Sequence, residues 1–185
     1  MEIVETPLKD CFLIKNTLFK DKRGYFFESF NRNRFAEKTG FDIDFVQDNE
    51  SQSGYGVVRG LHFQTGDWAQ AKLVRVLKGK VLDVALDLRA SSPSFGKTFC
   101  FELSDDNAFQ LFIPRGFAHG FSVLSTEAVF FYKCDNYYHK ASESGIHPLD
   151  EHLGIQWQIP ANQILLSEKD ANAPGWNDYL NLKNK

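Results

Sequence analysis

The sequence predicts an all-β protein, an antiparallel sandwich or barrel with a few short helices. Three observations carry this expectation. Apolar residues recur with period two through much of the chain. The runs are short and evenly spaced, with turn residues between them. Phe supplies 18 of the 185 residues, and aromatic side chains suit the pleated, half-buried surface of a sheet.

Taken in chain order, Gly24 to Phe30 and Val57 to Gln64 read as strands. In a regular second strand, Val58, Gly60, His62 and Gln64 share one face, and Arg59, Leu61 and Phe63 share the other. Gly60 leaves room for something to approach the backbone beside His62. Lys72 to Leu77 is a strand, with Lys78-Gly79 expected as a hairpin turn into the next. Val81 to Leu88 places Leu82, Val84, Leu86 and Leu88 on one face, with Asp83 and Asp87 opposite, the pattern of a half-buried strand. Thr98 to Leu103 and Phe109 to Ile113 flank a Ser-Asp-Asp-Asn turn. Phe117 to Leu124 and Ala128 to Cys134 form a further pair. Helical character is confined to Arg34–Lys38 and to Ser167–Ala171, with Ser167 as N-cap. No internal repeat or linker divides the chain, so residues 1–185 are expected to form one domain.

Composition excludes several classes of function. The formal net charge of −3 leaves no electrostatic footprint for nucleic acid or an anionic membrane, and a phosphate-bearing ligand would need local basic residues. Cys11, Cys100 and Cys134 are odd in number and widely spaced, which argues against a zinc site or a disulfide framework. Reduced thiols suit the cytoplasm. The opening MEIVETPLKD carries acids and a Pro where a signal peptide needs basic residues and an apolar run. No apolar stretch approaches the length of a membrane span.

Four residues invite a chemical reading. His62 lies in the Val57–Gln64 strand. His119 follows the turn in Ile113-Pro114-Arg115-Gly116 and shares a face with Phe117 and Phe121. Taken alone, each is either a core histidine held by a hydrogen bond or a working imidazole. Two imidazoles without a His-x-His pair fall short of the three or four protein ligands that metals need, so no metal is expected. Tyr132 shares an apolar face with Ala128 and Phe130, as a core phenol or as a proton donor in a cavity. Lys72 shares a face with Val74 and Val76, where an inward cation needs a buried acid or a ligand anion.

Together these segments resemble the dTDP-4-dehydrorhamnose 3,5-epimerase family. The resemblance runs from about Arg23 to about Asp170. It is carried by Phe45-Val46-Gln47-Asp48-Asn49, Val57 through Gln64, Ala69-Gln70-Ala71-Lys72-Leu73-Val74-Arg75 and Ser92-Pro93-Ser94-Phe95-Gly96. Pro114 through Phe121, Tyr132-Lys133 and Asn136-Tyr137-Tyr138 continue it. It implies a cupin-type jelly roll, an intertwined homodimer, and no metal or organic cofactor. It also implies a substrate, dTDP-4-dehydro-6-deoxy-D-glucose, a dTDP-linked 4-keto-6-deoxyhexose epimerised at C3 and C5.

By the same resemblance His62 is the base, Asp170 its partner, and Tyr132 the proton donor on the opposite face of the sugar. Lys72 lies near the developing oxyanion. Arg23, Arg59 and His119, with Lys169 near them, resemble contacts to diphosphate and sugar. Glu28, Gln47, Asp48, Asn49 and Glu143 resemble contacts to the thymidine, with Phe26 and Tyr138 stacking on or walling in the base. Some of these contacts are expected from a partner subunit.

Two departures stand out. Arg115 occupies a position where the family commonly has Glu, and Gly145-Ile146-His147-Pro148 differs from the usual segment. They leave the chemistry class alone and bear on which carbons are epimerised. The alternatives are a single-carbon epimerase, a sugar-nucleotide-binding cupin without catalysis, and a metal-dependent cupin, which the missing His-x-His pair opposes.

Overall fold

The computed structural model describes residues 1–183. Its strands are β1 (Glu2–Glu5), β2 (Phe12–Lys15), β3 (Phe19–Asp21), β4 (Gly24–Phe26), β5 (Gln47–Gly54), β6 (Val58–Gln64) and β7 (Lys72–Lys78). They continue as β8 (Lys80–Asp87), β9 (Thr98–Ser104), β10 (Phe109–Ile113), β11 (Phe117–Val123), β12 (Glu127–Cys134) and β13 (Glu143–Gly145). The helices are α1 (Arg32–Thr39), α2 (Glu168–Ala171) and α3 (Trp176–Lys183).

Two antiparallel sheets face each other as a jelly-roll sandwich. One has six strands in the order β1-β2-β10-β7-β12-β5, and the other has five in the order β13-β6-β11-β8-β9. Val74, Val76, Val81, Ala85, Leu111, Phe121 and Phe130 fill the space between them. Each fully buried aliphatic or aromatic side chain contributes about 1.5–3 kcal/mol relative to its exposed state.

Several expected hairpins turn out to be corners. β7 pairs with β10 and β12, whereas β8 pairs with β9 and β11, so Lys78-Gly79 carries the chain from one sheet to the other. Gly79 has φ 81°, and a Cβ there would meet Glu127 O at 2.1 Å. β9 and β10, and likewise β11 and β12, also lie in opposite sheets. Period two identifies a strand but says nothing about its neighbours, because sheet assignment depends on long-range packing. The expected strand from Gly24 to Phe30 shrinks to Gly24–Phe26. It pairs only with β3 in a two-stranded ribbon that is exposed throughout.

The strand over Val81 to Leu88 is present, but it is not half-buried. Leu82, Val84, Leu86 and Leu88 pack outward beneath Ile146, Leu153 and Trp157 of the C-terminal segment. Asp83 and Asp87 point the other way, into the sandwich, and both are fully buried. An apolar face normally marks the core side of a strand. Here the C-terminal segment covers it, and the polar face lines the interior.

α1 begins at Asn31, whose side chain accepts from Arg34 N–H, and ends at Gly40 in the left-handed conformation, φ 77°. It lays Phe35 against Phe112, Ile14 and Leu73 on the outer face of the six-stranded sheet. α2 has Ser167 as its N-cap, with the hydroxyl accepting from Asp170 N–H at 3.1 Å.

Candidate active site

The site is assembled from both sheets. β6 and β11 approach closely because each has a glycine at the contact. Between His119↔His62 and Phe121↔Arg59 the register shifts, with one more residue on β6 than on β11. Regular alternation sets Arg59 and His62 on opposite faces; the extra residue brings both to the face that carries His119. Leu61 is turned outward into the apolar layer under the C-terminal segment, and its N–H and carbonyl both pair with Ile146.

His62 Nε2 lies 2.5 Å from Asp170 Oδ1. Asp170 is only 3 % exposed. Burial alone would raise its pKa, but the hydrogen bond and charge of His62, the Ser167 hydroxyl and the Gly60 N–H together hold it below the usual carboxylate range. An ionised Asp170 accepts from Nε2–H, which leaves the Nδ1 lone pair of His62 as the available base. The His62 side chain keeps 32 % of its surface exposed in the isolated chain, so its free nitrogen is reachable from solvent.

His119 forms a second pair. Its Nε2 lies 2.9 Å from Asp83 Oδ2, in full burial, and its ring stacks on Phe130 at 5.9 Å between centroids. Asp83 is a residue that sequence reasoning assigned to the outer face. Its only sequence signal was an acid in the middle of an apolar strand.

The opposing sheet supplies Tyr132, Lys72, Gln47 and Asn49. Strand register places Tyr132 beside Asn49 and Val74, and Cys134 beside Gln47 and Lys72. Lys72 Nζ sits 5.7 Å from the centre of the Tyr132 ring. Burial is the main cause that pushes the Tyr132 phenol up to about 12, helped by Cys134 and Glu143 and opposed by Arg59. Burial also lowers the pKa of Lys72, against the pull of Cys134, Asp83 and Glu143. Glu143 acts on His62, Lys72 and Tyr132 together, which ties the two sheets to one interior.

At the rim, Glu143 accepts from the Tyr138 hydroxyl at 3.0 Å and pairs with Lys169 Nζ at 2.6 Å. Arg59 Nε donates to Ser53 Oγ at 3.0 Å. Arg59, His62, Lys72, His119, Tyr132, Tyr138, Glu143, Lys169, Asp170, Gln47 and Asn49 thus converge on one region.

Four expected residues do not join them. Asp48 alternates to the other face of β5 and pairs with Lys133 at 2.9 Å. Arg23 lies on the exposed β3–β4 ribbon, paired with Asp21 at 2.6 Å. Phe26 on the same ribbon is 70 % exposed. Glu28 pairs with Arg34 at 3.1 Å. Arg115 points outward and pairs with Asp135 at 2.7 Å; its charge reversal is a surface matter. Among the described residues, no three His, Cys, Asp or Glu side chains are placed to hold a metal ion.

A jelly roll in which His62 of β6 pairs with Asp170 of α2, facing a protonated phenol on the opposite sheet, has the parts of an acid–base enzyme. The comparisons agree. The profile described as dTDP-4-dehydrorhamnose 3,5-epimerase matches residues 5–178. A Shigella flexneri protein named dTDP-4-dehydrorhamnose 3,5-epimerase is 49% identical over 172 residues, 93% of this chain and 94% of that one. The crystal structure of dTDP-4-dehydrorhamnose 3,5-epimerase from Elizabethkingia anophelis NUHP1 superposes with a TM-score of 0.93 at 56% identity, covering 96% of this chain and 97% of that one. The Legionella pneumophila Philadelphia 1 dTDP-6-deoxy-D-glucose-3,5-epimerase, crystallised with dTDP-4-keto-L-rhamnose, gives 0.91 at 48% identity, covering 95% and 93%. The chain belongs to the dTDP-4-dehydrorhamnose 3,5-epimerase family.

Proposed function

We propose that this chain epimerises dTDP-4-dehydro-6-deoxy-D-glucose at C3 and C5 to dTDP-4-dehydro-L-rhamnose. The observation that carries the reading is the 2.5 Å contact between His62 of β6 and Asp170 of α2, with Tyr132 on the sheet opposite.

The C4 ketone acidifies the C–H bonds on both neighbouring carbons. His62 Nδ1 removes one proton, and ionised Asp170 stabilises the imidazolium that forms. The electron pair moves to the ketone oxygen as an enolate, beside Lys72. The Lys72 amine is buried, and a cation acts more strongly in such a setting than in water. Tyr132 then protonates the same carbon from the other face. With its pKa raised to about 12, Tyr132 still carries its proton at neutral pH. Release of the abstracted proton from His62 to solvent and return of a proton from solvent to Tyr132 reset the site for the second carbon.

Arg59, His119 and Lys169 are suited to the diphosphate and sugar, and Arg offers paired donors to phosphate oxygens. The base falls to Gln47, Asn49 and Tyr138. Arg23, Phe26 and Glu28 lie off this site within one chain, and the ribbon exposes Phe19 and Tyr25 as well. We assign the ribbon to the open site of a second copy in a homodimer. The three free thiols favour a reducing compartment, and we place the protein in the cytoplasm.

Turnover of the keto-sugar in deuterated water tests the reaction. Deuterium at both C3 and C5 is expected. Label at one carbon would reduce the function to single-site epimerisation, and no label would overturn the proposal.

A further inference from the structure

A chain of hydrogen bonds at the β5–β12 side of the interior serves no step of the reaction above. Tyr138 N–H donates to Gln47 Oε1 at 3.0 Å. Gln47 Nε2 donates to Asn49 Oδ1 at 3.0 Å. Asn49 Nδ2 donates to Cys134 Sγ at 3.7 Å. Thiol sulfur is a weak acceptor with a longer reach than oxygen.

The polarity of this chain is set from its first donor. A backbone N–H can only donate, so Gln47 must turn Oε1 toward Tyr138 and its amino group toward Asn49. Asn49 must then turn Oδ1 toward Gln47 and its amino group toward Cys134. Each amide keeps one N–H uncommitted. Cys134 is buried, 1 % exposed, and stands across from Gln47 on one side and Lys72 on the other. Burial raises its thiol pKa to about 11 despite the nearby Lys72, so at neutral pH it is an uncharged end to the chain.

We infer that Cys134 is a positioning residue for nucleobase selection, holding Asn49 and through it Gln47 with their free N–H donors available to the ligand. Such an edge matches a base that presents carbonyl oxygens. It opposes one that presents an amino group, because a donor then faces a donor without a partner. The inference rests on the assignment of Gln47 and Asn49 to the base of the nucleotide.

The test is the ratio of dissociation constants for dTDP and dCDP, measured by titration calorimetry. Wild type is expected to prefer dTDP. Cys134→Val keeps an apolar side chain but has no acceptor. It should shrink that preference roughly three- to tenfold, the scale of one neutral hydrogen bond. Cys134→Ser restores an acceptor in a smaller volume and should keep the preference. An unchanged ratio in Cys134→Val, or equal loss in Val and Ser, overturns the inference. Should the Val variant not fold, Cys134→Ala carries the same expectation. Asn49→Ala separates the two levels. If it leaves dTDP affinity intact, the base-contact assignment fails. If it weakens dTDP while Cys134→Val keeps the ratio, only the role of Cys134 fails.

Discussion

Gly60 of β6 and Gly120 of β11 lie so close that neither position has room for a side chain. A Cβ on Gly60 would stand 2.6 Å from Gly120 Cα, and one on Gly120 would stand 2.5 Å from Arg59 O. This contact sits inside the register shift that turns Arg59 and His62 to the same face. Gly120→Ala should force the backbones apart, costing about 1–3 kcal/mol by overpacking. Activity should fall with stability, because Arg59 and His62 move with the strand. A melting curve and a turnover assay check both; an unaltered melting temperature would show that the strands can part freely.

Asp170 is buried and hydrogen-bonded to His62, to Ser167 and to the Gly60 backbone. Asp170→Asn keeps the shape and removes the charge that stabilises imidazolium. By analogy with other His–carboxylate pairs, kcat should drop roughly 10²–10⁴-fold. Substrate affinity should change little by comparison. A kcat within a few-fold of wild type would show that His62 works without its carboxylate.

The raised Tyr132 pKa of about 12 predicts how the acid behaves. The proton-donating form persists as pH rises through 8, 9 and 10, and is lost only as pH approaches that value. Alkaline loss of activity below this range therefore comes from another group and should survive in Tyr132→Phe. That variant should still exchange substrate hydrogen with solvent through His62, while net epimerisation falls roughly 10²-fold or more. Mass spectrometry of recovered substrate distinguishes the two rates.

Shared sites in a dimer predict complementation. Arg23→Ala and His62→Ala homodimers should each be impaired. A refolded equal mixture should regain about one quarter of wild-type sites, since half the dimers are mixed and one site in each is intact. Activity that never rises above the average of the parents would place the ribbon and His62 in the service of separate sites.

Asp87 supplies an acid-stability test away from the chemistry. Burial opposes its charge, but Arg89, Ser92 and Ser94 overcome this and lower its pKa to about 2. A depressed carboxylate stabilises the fold above its unfolded value, here 3.8, and loses that contribution as pH falls through about 2. The contribution at neutral pH is about 2 kcal/mol. Asp87→Asn should lower the unfolding free energy by that order at pH 7 and narrow the gap from wild type below pH 3. An equal gap at both pH values would deny the linkage.

The positions of β4, of β6 to β12 and of the helix capped by Ser167 were legible in the sequence, whereas β1, β2, β3, β5 and β13 were not. Period two, turn residues and caps act over a few neighbours, and the motifs around His62, His119 and Tyr132 are local too. What the chain order could not express was which strands share a sheet, and which side of each faces inward. Asp83 became interior because the C-terminal segment covers the apolar face of β8. Arg59 joined His62 because one extra residue in β6 reverses the alternation. Both outcomes depend on contacts between residues far apart in the chain, so only the folded sandwich decides them.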